Sequence, residues 1–402
     1  MKQFTLNNGM TVVYAGYSSK YSGCLSVNVG HVNEPKLGIA NLFERTLLQQ
    51  LRHIIPVFGG TMTAYSTGGS TIVEVMEKLL QIFINTEITE EYVTSAKNLI
   101  IEQTNDIAPM TMRRMKLAYK HVAFGADLVK PTEEYLNAIS SYTVEDVKEF
   151  ANKYYSAKNI VLIIAGPKVP DLQLKNTAEE FFGHLESGEP NPSVKGNIYT
   201  GGFEKLTVTD NTTRLMFGWD IAHLSIDDSP QANVMMSMFL RRLERAFADA
   251  GFSDVQVDFK IAGYYGLRTM RAYVSSTNHN AIELTDVFIK VVNRICDTQA
   301  SDRRMERSRN LAMTEKLDKY EKSDDRALET AWQMIGRGCM YNVANRINLI
   351  YETTAEDVQD LATKVFRGSY PTYIVALPET SNEYYSYEAL VKALNYKDEA
   401  SI

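Results

Sequence analysis

A stretch of 25 residues in the first half of the chain recurs in the second half at a constant offset. Thr143–Pro167 aligns without a gap to Thr354–Pro378, and nine of the 25 positions are identical. Each copy begins with a pattern typical of a capped helix and continues into an apolar segment typical of a strand. Any capped helix before a strand would share part of this pattern. The offset is about half of the 402 residues, however, and therefore favours a duplication.

The duplication predicts two tandem homologous domains. They comprise residues 1–187 and 203–402, and residues 188–202 form a linker that is polar and rich in Pro and Gly, as boundaries between domains commonly are. An Asn-Gly pair at positions 8 and 9 predicts a hairpin, whereas residues 38–54 have apolar side chains at helical spacing. Similar mixtures of strand and helix patterns occur in both halves. The predicted fold class is therefore α/β (α+β).

Composition excludes several classes of protein. Apolar residues make up 45% and charged residues 23% of the chain, as in ordinary globular proteins, and the formal net charge of -7 disfavours nucleic acid as a ligand. The three cysteines, Cys24, Cys296 and Cys339, are too few and too far apart for a disulfide framework or a thiolate metal site. The longest apolar run, Ile160–Ala165, is too short to span a membrane. Without a recognisable leader, a cytoplasmic location is expected, although a processed organellar chain would look the same.

The segment Val29–Leu48, VGHVNEPKLGIANLFERTLL, carries a family resemblance. It resembles the active-site helix of the inverzincin metallopeptidases, the family of pitrilysin, insulinase and mitochondrial processing peptidase. Further matches are LNNGMTVV at Leu6–Val13, GGTMTAYS at Gly59–Ser66, the segment Ser141–Gly166 and RAFADAGF at Arg245–Phe252, so the resemblance extends over nearly the whole chain. It implies two tandem domains, each a mostly antiparallel sheet packed with helices, that together form half of a clamshell.

The metal-binding motif of that family is degenerate in this chain. The family places H-x-x-E-H on one helix, so that two histidines reach zinc and the glutamate acts as general base. Here the corresponding residues are Asn41, Glu44 and Arg45, and the third ligand position falls on Gln103. An amide is a poor zinc ligand, and a guanidinium would repel the metal. No metal or other cofactor is therefore expected in this chain, and no catalytic residue is assigned.

Two interpretations of the charged residues at and near these motif positions stay open. Glu44, Arg45 and Glu102, which is adjacent to Gln103, could form an ordinary charged cluster on solvated helix faces. Alternatively, Arg45 replaces the charge of the zinc and pairs with one of these carboxylates.

The second half contains a candidate substrate-binding pair. In RAFADAGF, Arg245 and Phe252 fall at the spacing of an Arg and a Tyr that the family uses to bind the substrate backbone. The resemblance therefore implies the same role here, without the Tyr hydroxyl. The alternative is that Arg245 complements the dipole of a helix that Gly251 ends.

The resemblance implies a catalytically inactive subunit of a two-chain peptidase. Its partner would be a homologous subunit that carries the zinc, and together they would enclose a peptide substrate and assist its processing. A second hypothesis is a structural scaffold like the core proteins of respiratory cytochrome complexes, which resemble the same family. A third is an unorthodox hydrolase that uses Glu44 without zinc, although nothing would then activate the attacking water.

Overall fold

The structure is a computed structural model of the chain. It describes residues 2–16, 18–84, 86–107, 110–125, 130–192, 199–222, 228–264 and 267–395. Part of the predicted linker, residues 193–198, lies outside these ranges.

The described part of the first half contains a six-stranded sheet. Its strands are β1 (Lys2–Thr5), β2 (Thr11–Gly16), β3 (Tyr21–Val27), β4 (Ile55–Phe58), β5 (Thr63–Gly69) and β6 (Ile160–Ala165). They lie in the order β1-β2-β6-β3-β5-β4, and only the β2–β6 pair is parallel. The predicted hairpin at Asn8-Gly9 is confirmed, since β1 and β2 pair antiparallel across it and Gly9 has φ of 95°. A positive φ of this kind favours glycine.

The described part of the second half contains a five-stranded sheet whose strand order matches that of five strands of the first sheet. Its strands are β7 (Gly202–Val208), β8 (Thr213–Asp220), β9 (Gln256–Tyr264), β10 (Leu267–Ser276) and β11 (Thr372–Pro378). Their order is β7-β11-β8-β10-β9, and only β7–β11 is parallel. The five strands correspond, in this order, to β2, β6, β3, β5 and β4 of the first sheet. Strand β1 is the additional strand of that sheet. The shared strand order supports the duplication inferred from the sequence.

Helices occur in corresponding places in the two halves. The first half has α1 (Ile39–Leu48), α2 (Ile72–Ile84), α3 (Glu90–Ile107), α4 (Thr111–Phe124), α5 (Thr132–Ser141), α6 (Val144–Tyr154) and α7 (Asp171–Phe182). The second half has α8 (Asp228–Asp249), α9 (Ala281–Asp297), α10 (Asp302–Glu321), α11 (Ser323–Arg337), α12 (Val343–Glu352), α13 (Ala355–Gly368) and α14 (Tyr387–Ala393). Along the described chain, each helix of the first half therefore has one counterpart in the second. The predicted mixture of strands and helices in both halves is confirmed.

The repeated sequence forms the same capped helix and buried strand twice. Thr143 and Asp146 form a capping box at the start of α6, and Thr354 and Asp357 form the same box at the start of α13. In each box the side chains satisfy backbone N–H groups that the first turn leaves without partners. The strands that follow, β6 and β11, are buried along their whole lengths. The identical positions of the repeat thus preserve a helix start and a central strand.

The chain divides into two compact units, and neither is continuous in sequence. One comprises Met1–Asn105, Lys130–Lys195 and Leu317–Asn342, and the other comprises the remaining segments. The first unit thus contains α11 from the second half, and the second unit contains α4 from the first half. The predicted boundaries, 1–187 and 203–402, followed sequence continuity and could not anticipate this exchange of equivalent helices.

Both faces of the first sheet are covered. One face packs against α1 and α2, with α6 packed on α1, and the core includes Leu25, Phe43 and Leu162. The opposite face packs against α11, which contributes Ala327 and Ala331. A strand buried on both faces has continuous apolar sequence rather than alternation, and this explains the run of β6.

The second sheet is likewise packed with helices. Its core contains a stack of aromatic rings in which Phe217 lies parallel to Phe288 with centroids 4.1 Å apart. Tyr119 of α4 packs directly on the backbone of Gly218, where a Cβ would lie 2.0 Å from the Tyr119 hydroxyl. Among the helices of the described chain, we find none with the length and apolarity needed to cross a membrane.

Candidate functional site

The start of α1 is determined by Gly38 and Glu34. Gly38 has φ of 80°, and a Cβ there would lie 2.7 Å from the ring of Tyr135, so both the conformation and the close approach require glycine. The Glu34 carboxylate accepts hydrogen bonds from the N–H groups of Gly38 (2.6 Å) and Ala40 (2.9 Å). It therefore serves as the cap that Gly38 lacks. Burial raises the pKa of Glu34 to about 7 although both hydrogen bonds oppose the shift. Sequence reasoning used Glu34 only as part of the resemblance and missed this role.

Glu44 lies on the buried face of α1. Its relative exposure is 3%, and its carboxylate forms neither a hydrogen bond nor an ion pair with any residue that the structure describes. Burial raises the pKa of Glu44 to about 7, while the charge of Arg45 acts in the opposite direction. A charged carboxylate without partners is unfavourable in such a place. The expectation of a solvated cluster is therefore wrong for Glu44, because the helix turns this residue toward the core.

Two tyrosines form the polar surroundings of Glu44. The hydroxyls of Tyr65 and Tyr155 lie 2.5 Å apart, and the ring of Phe43 packs edge-on against Tyr155 at 4.5 Å. The pKa values of both tyrosines are raised, first by burial and further by the negative charge of Glu44. Both hydroxyls therefore stay protonated at neutral pH.

The positions of the two missing histidines are occupied quite differently. Asn41 is half-buried, and its Nδ2 donates a 2.7 Å hydrogen bond to the hydroxyl of Tyr135. Arg45 is also half-buried, and its Nε is enclosed without a hydrogen-bond partner. Among the described residues Arg45 forms no ion pair. Arg45 therefore makes no direct ion pair with a described carboxylate, although its charge lowers the pKa of Glu44. That Arg45 replaces the charge of the zinc stays a prediction.

The third ligand position lies on α3. Gln103 is half-buried, whereas Glu102 is exposed and lines a shallow depression of about 560 Å³ together with Glu90 and Glu91. Glu102 therefore lies on a solvated helix face, as the interpretation of an ordinary charged cluster predicted. Nothing in the described chain brings Gln103 or Glu102 into a ligand set with Glu44.

These residues do not fit a zinc ion. Within the described ranges, no three His, Cys, Asp or Glu side chains converge as a metal site would require. On α1 the two ligand positions present an amide engaged with Tyr135 and a guanidinium, and the latter is positively charged. The donor set on α1 thus lacks the imidazole or thiolate groups that zinc prefers.

The second candidate pair lies at the C-terminal end of α8. The side chain of Arg245 is 79% exposed, and its Nε lies 3.5 Å from the Asp249 carboxylate one turn later. Phe252 is part of the C-terminal cap of α8. Its N–H donates a 2.9 Å hydrogen bond to the carbonyl oxygen of Phe247, and the N–H of Gly251 donates one of 3.0 Å to the carbonyl oxygen of Ala248. These two bonds, with Gly251 at φ of 82°, form a Schellman motif. Phe252 is therefore packed against other side chains, whereas the side chain of Arg245 is solvated.

Phe252 stacks on His279, a residue that the sequence analysis did not single out. The rings of Phe252 and His279 lie 3.7 Å apart and nearly parallel. His279 lies between two carboxylates, 3.7 Å from Asp254 and 3.6 Å from Glu283. Hydrogen bonds from Ser276, Thr277 and Asn278 hold the pKa of Asp254 well below its usual range. Spacing along the chain carried no signal for this cluster, because the segment before β9 and the connection from β10 to α9 bring it together.

Phe252 also lines a groove of about 370 Å³. Its other lining residues include Glu244, Phe247, Val255 and Val257, and Arg245 is not among them. The groove has an apolar floor and one carboxylate, which suits an extended peptide segment more than a small anion.

Comparisons with known proteins agree with this architecture. Residues 141–312 match the family described as "Peptidase M16 inactive domain". An uncharacterized zinc protease of Rickettsia felis is 22% identical over 90% of this chain and 94% of its own length. The chain is thus similar to a zinc protease along most of its length, and the M16 inactive domain is matched by residues 141–312.

Solved structures share the fold at low sequence identity. A chain of complex III2 from Candida albicans has a TM-score of 0.82 at 14% identity and covers 98% of this chain and 99% of its own. A protease from Helicobacter pylori has a TM-score of 0.80 at 14% identity, covering 94% and 99%. An M16-like peptidase from Alicyclobacillus acidocaldarius has a TM-score of 0.78 at 16% identity, covering 94% and 98%. The chain therefore has the M16-like fold, as the resemblance implied.

Proposed function

We propose that this M16-homologous chain is the non-catalytic subunit of a heterodimeric zinc peptidase, in which a zinc-bearing homologue supplies the metal. The observation that carries the proposal is the composition of α1. It retains the general-base position as Glu44 but places Asn41, bonded to Tyr135, and the cation Arg45 where the metal ligands would lie. Zinc is therefore expected in the partner subunit. A cytoplasmic location fits the three free cysteines, one of which, Cys339, is exposed.

The proposed contribution of this chain is peptide binding. Strand β4 lies at the edge of its sheet, with β5 on one side, and Ile55 on it is 64% exposed. An extended peptide can pair with such an edge through its backbone, largely independent of sequence. Arg245 adds a solvated guanidinium that can bind a peptide carbonyl or carboxylate. In the second compact unit, the apolar groove beside Phe252 would hold an apolar side chain of a peptide.

The proposal is tested by reconstitution with a zinc-bearing homologue encoded in the same genome. We expect the two chains to co-purify as a heterodimer that contains one equivalent of zinc and cleaves unfolded peptides, whereas this chain alone binds no zinc. Separate elution of the two chains at micromolar concentration would refute the heterodimer.

A matched pair of variants then tests the role of Arg245. Arg245→Ala should lower kcat/KM of the heterodimer by about tenfold or more, since a hydrogen bond to a charged group contributes about 1.5–3 kcal/mol. Asp249→Ala breaks the same surface ion pair but keeps the guanidinium, so it should leave kcat/KM unchanged. Equal losses in both variants would mean that only the helix end had been disturbed.

A second candidate function is a structural scaffold subunit. It is favoured by the similarity in fold to the chain of complex III2 from Candida albicans. A scaffold would bind its partner as tightly as the peptidase subunit does, but Arg245→Ala would leave any associated peptidase activity unchanged. The kinetic comparison of Arg245→Ala and wild type therefore separates the two functions.

A further inference from the structure

His279 lies against an aromatic ring that lines the groove of the second compact unit. Its imidazole stacks on Phe252, with the ring centroids 3.7 Å apart and the planes 15° from parallel. Phe252 lines the groove of about 370 Å³, whereas His279 is not one of the residues around it. Any influence of His279 on the groove therefore passes through the position of the Phe252 ring.

A carboxylate lies near each nitrogen of the His279 ring. Nε2 is 3.7 Å from Oδ1 of Asp254, and Nδ1 is 3.6 Å from Oε2 of Glu283. In the described part of the chain, these two are the charged groups within ion-pair distance of His279. A neutral imidazole carries one N–H, whereas the protonated ring carries two and can donate to both carboxylates. The arrangement therefore suits the imidazolium better than the neutral ring.

Asp254 is fixed in place with one oxygen facing His279. Its Oδ2 accepts 2.7 Å hydrogen bonds from the Ser276 hydroxyl and from the backbone N–H of Thr277, and these bonds hold the pKa of its carboxyl group well below the usual range. Its Oδ1 is enclosed and accepts no hydrogen bond from the described residues. An enclosed charged acceptor without a donor is unfavourable. A protonated Nε2 of His279 would supply that donor after a small shift, since N–H···O bonds are about 2.9 Å long.

Protonation also changes how His279 interacts with the Phe252 ring. The face of an aromatic ring attracts a cation, and a neutral partner lacks this attraction. Histidine is the side chain that ordinarily changes its charge between about pH 5 and 8. A protonated His279 therefore holds Phe252 more firmly in the wall of the groove than a neutral one does.

We propose that His279 is a pH-dependent positioning residue, whose protonated form holds Phe252 in place and strengthens the binding of an apolar peptide side chain in the groove. The inference rests on the peptide-binding role proposed above for this groove and adds its regulation by pH. Asp254 and Glu283 stabilise the imidazolium, and Phe252 carries the effect to the groove. Peptide affinity should therefore be higher at pH 5.5 than at pH 8.

Two fluorescent decapeptides that differ at one central residue, leucine or serine, test this dependence. Their affinities for the full chain are measured by fluorescence anisotropy from pH 5.5 to pH 8 at constant ionic strength. At pH 5.5 we expect the leucine peptide to bind about tenfold more tightly, because the groove removes its side chain from water. This leucine-to-serine ratio should fall about threefold by pH 8, as the cationic attraction is lost. A ratio that does not change with pH would overturn the proposal.

Three variants assign the pH dependence to a residue. His279→Gln cannot become charged, so its leucine-to-serine ratio should be low and equal at every pH. Glu283→Gln keeps an oxygen that can accept the N–H of Asn280 but removes one negative charge, so the fall in the ratio should occur at a lower pH than in the wild type. His184→Gln makes the same substitution at an exposed histidine of the first unit and should keep the wild-type profile. A wild-type profile in His279→Gln or in Glu283→Gln would contradict the proposal.

A double-mutant cycle measures the contact without a peptide. Urea unfolding of the wild type, Phe252→Leu, His279→Gln and the double variant gives the coupling between the two side chains. We expect the coupling to be larger at pH 5.5 than at pH 8, and equal coupling at both pH values would overturn the proposal.

The two measurements separate this inference from the proposed function. If the coupling changes with pH but neither peptide binds, the peptide-binding role of the groove is wrong, and the regulation proposed here is wrong with it. If the leucine peptide binds more tightly than the serine peptide by the same ratio at every pH, only the regulation by His279 is wrong.

Discussion

At the scale of single residues, burial gives Glu44 a different role from the one that its position in the motif suggests. Its charge raises the pKa values of Tyr65 and Tyr155, and burial raises its own pKa to about 7. In the family that this helix resembles, a glutamate here acts as a base on metal-bound water. Here the same residue is a buried acid whose protonation state affects stability near neutral pH.

The pH dependence of stability tests this state of Glu44. An unfolded glutamate titrates near pH 4.3, so the folded state binds the proton more tightly and stability falls as pH rises from about 4.5 to 7. The full effect is about 3 kcal/mol above pH 7. Glu44→Gln removes this term, so its stability relative to the wild type should be higher at pH 8 than at pH 5. The measurement is urea unfolding at both pH values.

The exposed Glu102 provides the control for that measurement. Glu102→Gln makes the same chemical change on a solvated helix face. Its stability relative to the wild type should not change between pH 5 and pH 8. If Glu44→Gln behaved like Glu102→Gln, the carboxyl group of Glu44 would have to be solvated in solution.

At the scale of secondary-structure elements, local sequence patterns predicted whether a segment is a helix or a strand better than they predicted the residue at which it ends. The apolar spacing of residues 38–54 predicted one helix, but α1 ends at Leu48, and β4 begins at Ile55. Leu51 and Ile54 are buried all the same, because the turn after α1 brings them into the same core. Helical spacing alone could not reveal that these two side chains reach the core from a non-helical segment.

The end of α8 allows a prediction about Phe252. Phe252→Ala removes the ring that packs on Phe247 and stacks on His279, and it should lower the free energy of unfolding by about 2 kcal/mol. Phe252→Tyr keeps the ring and should unfold within about 0.5 kcal/mol of the wild type. Denaturant unfolding of both variants measures this difference.

The same variants separate packing from substrate binding. If the proposed peptidase role is right, Phe252→Tyr introduces the hydroxyl that the family uses and should raise kcat/KM of the reconstituted heterodimer. An unchanged kcat/KM would confine Phe252 to its role in ending α8.

At the scale of the whole molecule, the exchange of α4 and α11 makes each compact unit depend on a distant part of the chain. On the first sheet, α11 covers a face that includes Cys24, Ile163 and Ala64. Burial raises the pKa of the Cys24 thiol to about 12. A fragment that ends after the first half would lack α11 and expose this apolar face to water.

Thiol reactivity measures that dependence. In the intact chain Cys339 is exposed, whereas Cys24 and Cys296 are buried, so we expect a disulfide reagent to modify one thiol of three rapidly. A fragment of residues 1–195 contains only Cys24, and this thiol should react readily because its cover is missing. Full-length Cys339→Ser is the control, in which no thiol should react on the same time scale. A protected Cys24 in the fragment would mean that the first sheet does not need α11.

The sequence by itself determined the duplication, the strand and helix types and the absence of metal ligands on α1, because these depend on short-range spacing and on the identities of a few residues. The tertiary structure decided that Glu44 is buried, that Arg45 forms no ion pair within the described residues, that Phe252 stacks on His279, and that α4 and α11 are exchanged. These features depend on contacts between residues far apart in sequence. A single sequence carries no direct record of such contacts, since any amphipathic helix can cover more than one apolar sheet face.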